Sequence, residues 1–311
     1  MKKERICYVG ELLRTPLAPD HRGVMQGLDW MFRDGTIEDY KIVDPLMLGR
    51  EEAIRQIKEF NPTVTIHGNT DTLNRGYLEP LKGIGKQVFW MLDYQPINVL
   101  PLYHGWWDEW TKCAGLLDAI FLSNYDQLQM WSEGFNCPTY FLPHGCVVQE
   151  LQYDPKENFK CVFIGGIGEA SWYKNRADLI KQIGDFTHIN ETTVEGRNEI
   201  WKRMPAIYHS STCLLDISHE WNARGYASGR YFYSAGLGGC SITKHFPGCE
   251  EFYKDGVHKL YFDTPEEARY LIDKCQKNPE FVAKIKMNAW IHNKDFHNYR
   301  ERFNELLSKL C

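Results

Sequence analysis

Short, continuous apolar runs alternate with amphipathic helical patterns along most of this chain. Residues 1–150 contain ERICYVG, YKIVDP, TVTIHG, KQVFWMLD, DAIFLS and PTYFLP, with RGVMQGLDWMFRDG, EEAIRQIKEF and QLQMWSEG between them. A strand that is apolar on both faces needs cover on both sides, so this order predicts a parallel sheet sandwiched by helices. The polar stretch VVQELQYDPKENFK interrupts the alternation, and its Asp-Pro pair reads as a linker. The pattern resumes at KCVFIGG and continues through FTHINETTV, EGRNEIWKRMPAIYHSS, TCLLDIS, CSIT and HKLYF. With 311 residues the chain can build two domains, each with its own core. We expect two doubly wound α/β domains, 1–150 and 151–288, followed by a closing helical segment over 289–311. Ligands of such sheets bind beyond the carboxyl ends of the strands, which puts the expected site in a cleft between the domains.

Composition narrows the function classes. The formal net charge is −5, and residues 1–150 hold 14 Lys and Arg against 20 Asp and Glu, a balance that opposes nonspecific duplex binding. Aromatic residues make up 14% of the chain, which suits stacking on sugars or bases as well as packing in cores. No apolar run approaches the length of a membrane span and no secretory leader is evident, so a soluble, cytoplasmic protein is expected. The cysteines at 7, 113, 137, 146, 161, 213, 240, 249, 275 and 311 form no Cys-x-x-Cys pair and no Cys/His ligand spacing, and they read as reduced, mostly buried thiols.

The segment Gly225–Gly239, GYASGRYFYSAGLGG, places small residues and Arg230 at a helix start, and CSITKHFPGCEEFYKDG follows it. Backbone amides at a helix N-terminus and an arginine fork together suit a diphosphate. FIGGIG at Phe163–Gly168, WYKNR at Trp172–Arg176, SGRYFYSAGLGG, FPGCEEFY and YFDTPEEA complete a set. Over about Phe159–Phe303 this set resembles the GT-B fold glycosyltransferases, in particular the branch similar to spore-maturation (CgeB-like) enzymes of glycosyl transferases group 1. The resemblance implies two Rossmann-like domains, with the donor nucleotide-sugar on the second, the acceptor on the first, and the last helix packing back on the first. It implies a nucleotide-sugar as co-substrate, no bound cofactor and no required metal. The wider retaining family carries two glutamates where this chain has Gly225 and Tyr233.

Candidate residues follow from position and type. Gly165 and Gly166 permit close backbone approach to a ligand. Lys174, Arg176 and Arg230 suit a departing diphosphate, with Ser228 and Gly229 at the helix start. Tyr233 offers a single phenol in place of a carboxylate, which leaves Glu250, Glu251 or the main chain to hold the nucleotide. In the first domain, Arg22 and Gly23 are expected at a helix start, their amides facing the donor phosphates or acceptor, with Asp20 and His21 before them. His67, Gly68, Asn69 and Asp71 end one strand, and Asp93 ends the next, ahead of Pro96. Asp93 is the expected general base of an inverting transfer; with His67 it would hold the sugar or stabilise charge in a retaining one. Trp106, Trp107 and Trp110 could stack an acceptor ring.

The leading expectation is therefore transfer of a hexosyl or pentosyl group from a nucleotide-sugar to a carbohydrate, protein or small-molecule acceptor. Two alternatives stay open: a catalytically silent scaffold or coat protein, because both glutamates are replaced, and a viral enzyme glycosylating modified DNA bases.

Overall fold

The computed structural model describes residues 3–13, 16–68, 70–95, 101–167 and 174–310, the side chains of 101–104 excepted. Asn69, Pro96, Gly168 of FIGGIG, and Trp172 and Tyr173 of WYKNR lie outside the described residues. The chain divides into two compact units. Unit 1 comprises Met1–Pro16, Val24–Pro143 and Arg302–Cys311, and unit 2 comprises Leu17–Gly23 and His144–Glu301.

The first stretch of chain runs β1 (Arg5–Val9), α1 (Pro19–Arg33), β2 (Asp39–Val43), α2 (Pro45–Leu48), α3 (Arg50–Phe60), β3 (Val64–His67), α4 (Arg75–Leu78), β4 (Lys86–Met91), α5 (Pro101–Thr111), β5 (Ala119–Leu122), α6 (Leu128–Phe135) and β6 (Thr139–Phe141). Its six strands pair in parallel in the order β2-β1-β3-β4-β5-β6. The centre of the sheet is buried on both faces, as its uninterrupted apolar runs require: β3 and β5 are buried throughout. One face packs Phe89, Trp110, Trp131 and Phe135 together, the other Cys7, Val9, Ile57 and Tyr77. Asp44 turns the chain out of β2, since its carboxylate accepts from the Leu46 and Met47 amides and also from Leu13 N at 3.1 Å.

The second stretch runs β7 (Cys161–Ile164), α7 (Lys174–Ile183), β8 (Thr187–Ile189), α8 (Val194–Ser210), β9 (Cys213–Asp216), α9 (Gly229–Gly236), β10 (Ser241–Lys244), β11 (Leu260–Phe262), α10 (Pro265–Lys277) and α11 (Pro279–Phe296). Its five strands are parallel in the order β11-β10-β9-β7-β8. Cys161, Cys213, Cys240 and Cys275 all lie in its core beside Phe163, Leu215 and Ile242, where cysteine serves as a small hydrophobe. Thr264 and Glu267 form a reciprocal capping box at the start of α10, with Pro265 pre-set for the first turn. The chain ends in α12 (Tyr299–Leu310), whose Phe303 packs edge-on against Tyr8 and Trp90 in unit 1, with centroids 6.5 and 6.0 Å apart. No helix among the described residues is long and apolar enough to cross a membrane.

In unit 2, β7 has β8 on one side and β9 on the other. The winding therefore reverses between β7 and β9, and the crevice beyond their carboxyl ends is where an open parallel sheet binds ligands.

Candidate donor site

Arg230 spans that reversal. Its Nε donates to the Ile164 carbonyl at 2.8 Å, at the end of β7, and its Nη1 to the Ile217 carbonyl at 3.3 Å, just past β9. The guanidinium also lies 5.0 Å from the centroid of the Phe163 ring. These contacts hold the fork without consuming it, because Nη2 makes no hydrogen bond among the described residues. Its direction explains Gly165: a β-carbon there would stand 2.2 Å from Nη2, and the backbone has φ +144. Only glycine accommodates both.

Arg176, on the first turns of α7, approaches the same ring from a second element. Its guanidinium is 5.8 Å from the Phe163 centroid, and Nη2 donates to the Gly166 carbonyl. The side chain is buried, whereas Lys174 at the helix start is exposed. His188, from β8, places Nε2 2.7 Å from the Gly165 carbonyl. Beyond β9, Ser218 Oγ accepts from the Ser228 amide at 3.1 Å, and the His219 ring stands edge-on to Tyr226 with Nδ1 3.4 Å from its hydroxyl. Burial, with Arg176 and Arg230 nearby, pushes the His219 pKa down to about 4.

Ser228 is the N-cap of α9 and makes no side-chain cap hydrogen bond. First-turn amides left without such a cap are suited to an anion. The Tyr233 phenol folds back over this turn, its oxygen 2.2 Å from where a Gly229 β-carbon would be. Gly225 has φ +74 and its amide donates to the Pro247 carbonyl at 2.8 Å. The position where the retaining family has a glutamate is thus a left-handed turn docked on the Pro247–Gly248 loop. That loop leads directly to Glu250, which is exposed, and to Glu251, which pairs with Arg224 at 3.4 Å.

Beneath α9 lies a buried ionic knot. Lys259, wholly buried, donates to Asp216 Oδ2 at 3.2 Å and to Ser234 Oγ at 2.7 Å, and Ser234 donates to Asp216 Oδ2 at 3.0 Å. Its ammonium sits 4.4 and 5.1 Å from the Tyr231 and Tyr253 ring centroids. Burial lowers the Lys259 pKa while Asp216 holds it up. Tyr231 extends the knot to the Cys249 carbonyl at 2.9 Å, next to Glu250. The knot ties the end of β9, α9 and the 249–253 turn into one piece.

Residues 157–308 match the family described as glycosyl transferase-like. The whole chain shares its fold with GT-B glycosyltransferase structures. One is Anabaena Alr3699/HepE in complex with UDP-glucose, at TM-score 0.58 and 10% identity over 98% of this chain and 100% of that one. Another is sucrose-phosphate synthase from Thermosynechococcus elongatus, at TM-score 0.61 and 10% identity over 99% of each chain. A glycosyltransferase from Rickettsia africae follows at TM-score 0.55 and 12% identity, over 99% of this chain and 98% of that one. At such identities the likeness shows the fold. No curated protein matches the sequence.

Within unit 2, the structure brings together Gly165, Gly166, Arg176, Ser228, Gly229, Arg230 and Tyr233. His219 and the Lys259 knot join them and were not foreseen. Elsewhere the sequence-based expectations meet different outcomes. His67 is a core residue: its ring is fully buried, with Nε2 3.0 Å from Gln87 Oε1 and an edge-on contact to Tyr77, which corrects the expectation that it faces a ligand. α1 begins at Pro19, earlier than expected, so the Arg22 amide is used inside the helix, donating to the Ala18 carbonyl at 2.9 Å. The Arg22 side chain donates to Gln149 at 2.7 Å and burial lowers its pKa, while Gly23 packs against Tyr299 and Val147. His21 lies 3.9 Å from Asp20. Asp71 and Asp93 are exposed just beyond β3 and β4. Trp106 is exposed, whereas Trp107 is engaged edge-on with Trp131 and Phe135.

Proposed function

We propose that this protein transfers a hexosyl or pentosyl group from a nucleoside-diphosphate sugar, with the diphosphate held at the β7/β9 reversal of unit 2. The observation that carries this reading is the convergence of two guanidiniums, Arg176 and Arg230, on one aromatic ring beside the N-terminus of α9. A nucleoside diphosphate departs with growing negative charge, and fixed cations and helix amides aimed at that charge lower the barrier. That HepE was solved with UDP-glucose supports a donor of this class.

The remaining assignments rest on chemistry. In this reading cations and the helix start take the part that a metal plays in other transferases. Lys174, exposed at the start of α7, reaches outward to the same phosphates, and Glu250 takes the ribose hydroxyls that a glutamate at 225 or 233 would otherwise bind. Asp93 serves as the base for the acceptor hydroxyl in an inverting transfer, and exposed Trp106 offers the acceptor a stacking face.

A panel of UDP-, GDP- and dTDP-sugars, with and without EDTA, tests the reading. Saturable donor-dependent thermal stabilisation and slow donor hydrolysis, both unaffected by EDTA, are expected. Neither effect with any donor would reject it in favour of a silent scaffold.

A further inference from the structure

The loop after β9 adds a third basic side chain to the reversal. Ser218 anchors the loop to the start of α9 through the Ser228 amide, and His219 follows directly, braced edge-on by Tyr226 at a centroid distance of 5.3 Å. The ring is half-buried. Arg176 from α7 and Arg230 from α9 both act on it electrostatically. The neighbouring Glu220 turns its carboxylate to the Asn222 amide at 2.6 Å. His219 thus sits on a loop whose Ile217 carbonyl accepts from Arg230 Nη1 at 3.3 Å and whose Ser218 holds the start of α9, at the candidate phosphate site.

We infer that His219 contacts the donor diphosphate and takes up a proton from solvent as the nucleotide-sugar binds, an inference that rests on the donor reading above. The physical reason is a reversal of local sign. Burial is the larger penalty on a charged imidazole here, and the two guanidiniums add to it. A diphosphate placed among the guanidiniums brings negative charge within reach of the ring and favours the imidazolium. The protonated ring then donates to a phosphate oxygen, a charge-assisted bond, and its proton stays at hand for the departing diphosphate. No bond of the donor breaks in this step. The diphosphate of a nucleotide-sugar is already ionised at neutral pH, so the proton goes to the protein.

Calorimetric titration of UDP-glucose, GDP-mannose and dTDP-glucose into the full chain, in buffers of different ionisation enthalpy, measures the uptake. Between pH 8 and pH 6 we expect a substantial fraction of one proton taken up per donor, and a Kd that falls several-fold as pH falls, because protons and donor bind cooperatively. His219→Gln and His219→Asn should bind more weakly, with a Kd insensitive to pH. NMR of the histidine rings in the unmodified protein reads the same titration without a substitution. Donor binding without proton uptake, or uptake that persists in both folded variants, would overturn the role of His219 and leave the donor reading standing. Failure of every donor to bind would overturn both.

Discussion

His67 and His219 occupy matching places in the two units, one closing β3 and the other just beyond β9, and each is held neutral with its pKa pushed down to about 4. The causes differ. His67 is depressed by burial, partly opposed by its hydrogen bond to Gln87. His219 is depressed by burial and by two arginines. Burial is a fixed property of the fold, whereas a field made by cations changes sign when an anion arrives. The same contrast runs through the two sheets. In unit 2 the strand ends are bound into one polar assembly by Arg230, Arg176 and the Lys259 knot. In unit 1 the polar residues at the ends of β3 and β4 are either sealed in the core, as His67 is, or exposed, as Asp71 and Asp93 are. A surface that must meet charge developing in a reaction benefits from being built beforehand.

The largest effect should come from breaking the knot. Lys259→Met removes a fully buried cation and leaves Asp216 charged without its partner. Such a loss costs about 3–5 kcal/mol. Pairing it with Asp216→Asn should return much of that stability, because the stranded charge is then gone. Urea denaturation of the single and double variants checks this; equal losses in both would mean the ion pair does not hold unit 2 together.

Arg230→Ala sharpens the contrast from the chemical side. If the fork meets charge that grows as the diphosphate leaves, turnover should fall by roughly 100- to 1000-fold, about 3–4 kcal/mol, and donor affinity should change less. The Ile164 and Ile217 carbonyls lose their donor, so a smaller loss of stability accompanies it. Steady-state kinetics with circular dichroism distinguish the two effects. Near-normal turnover in a folded variant would remove Arg230 from the site.

Much of this was legible in the chain. Continuous apolar runs such as TVTIHG and CVFIGG specify buried parallel strands, and Ser228, Gly229 and Arg230 read as the helix start that α9 shows. Pro19 was an available signal for the start of α1, since proline is pre-set for a first helical turn. Two features were not readable. His219 sits in a loop, DISHEW, and owes its surroundings to arginines from two distant helices. Lys259 precedes an ordinary apolar strand, and lysine is so seldom fully buried that composition argues against it. In both, tertiary convergence decides the chemistry, and local pattern does not carry it. Gly225 shows the reverse: what reads as a missing carboxylate is a turn that needs φ +74.

The smallest of these effects separates the two histidines by acid. The folded pKa of His67 is about 4 against an ordinary 6.5, so between those values the unfolded chain binds a proton that the folded one refuses. Stability is therefore fully present above pH 6.5 and declines as pH falls toward 4, by about 3 kcal/mol in all, because a tenfold difference in proton affinity between the two states is worth about 1.4 kcal/mol. His67→Asn should keep its β3 amides protected to lower pH than the unmodified protein does, relative to each protein's own value at neutral pH. Hydrogen exchange across Val64–His67 measures this directly. A donor nucleotide should leave this acid response of β3 unaltered, because the ring answers to burial, while the acid response around β9 should shrink as His219 gains its anion. If the donor shifted both responses alike, the distinction between a histidine set by burial alone and one set by burial and cations together would fail.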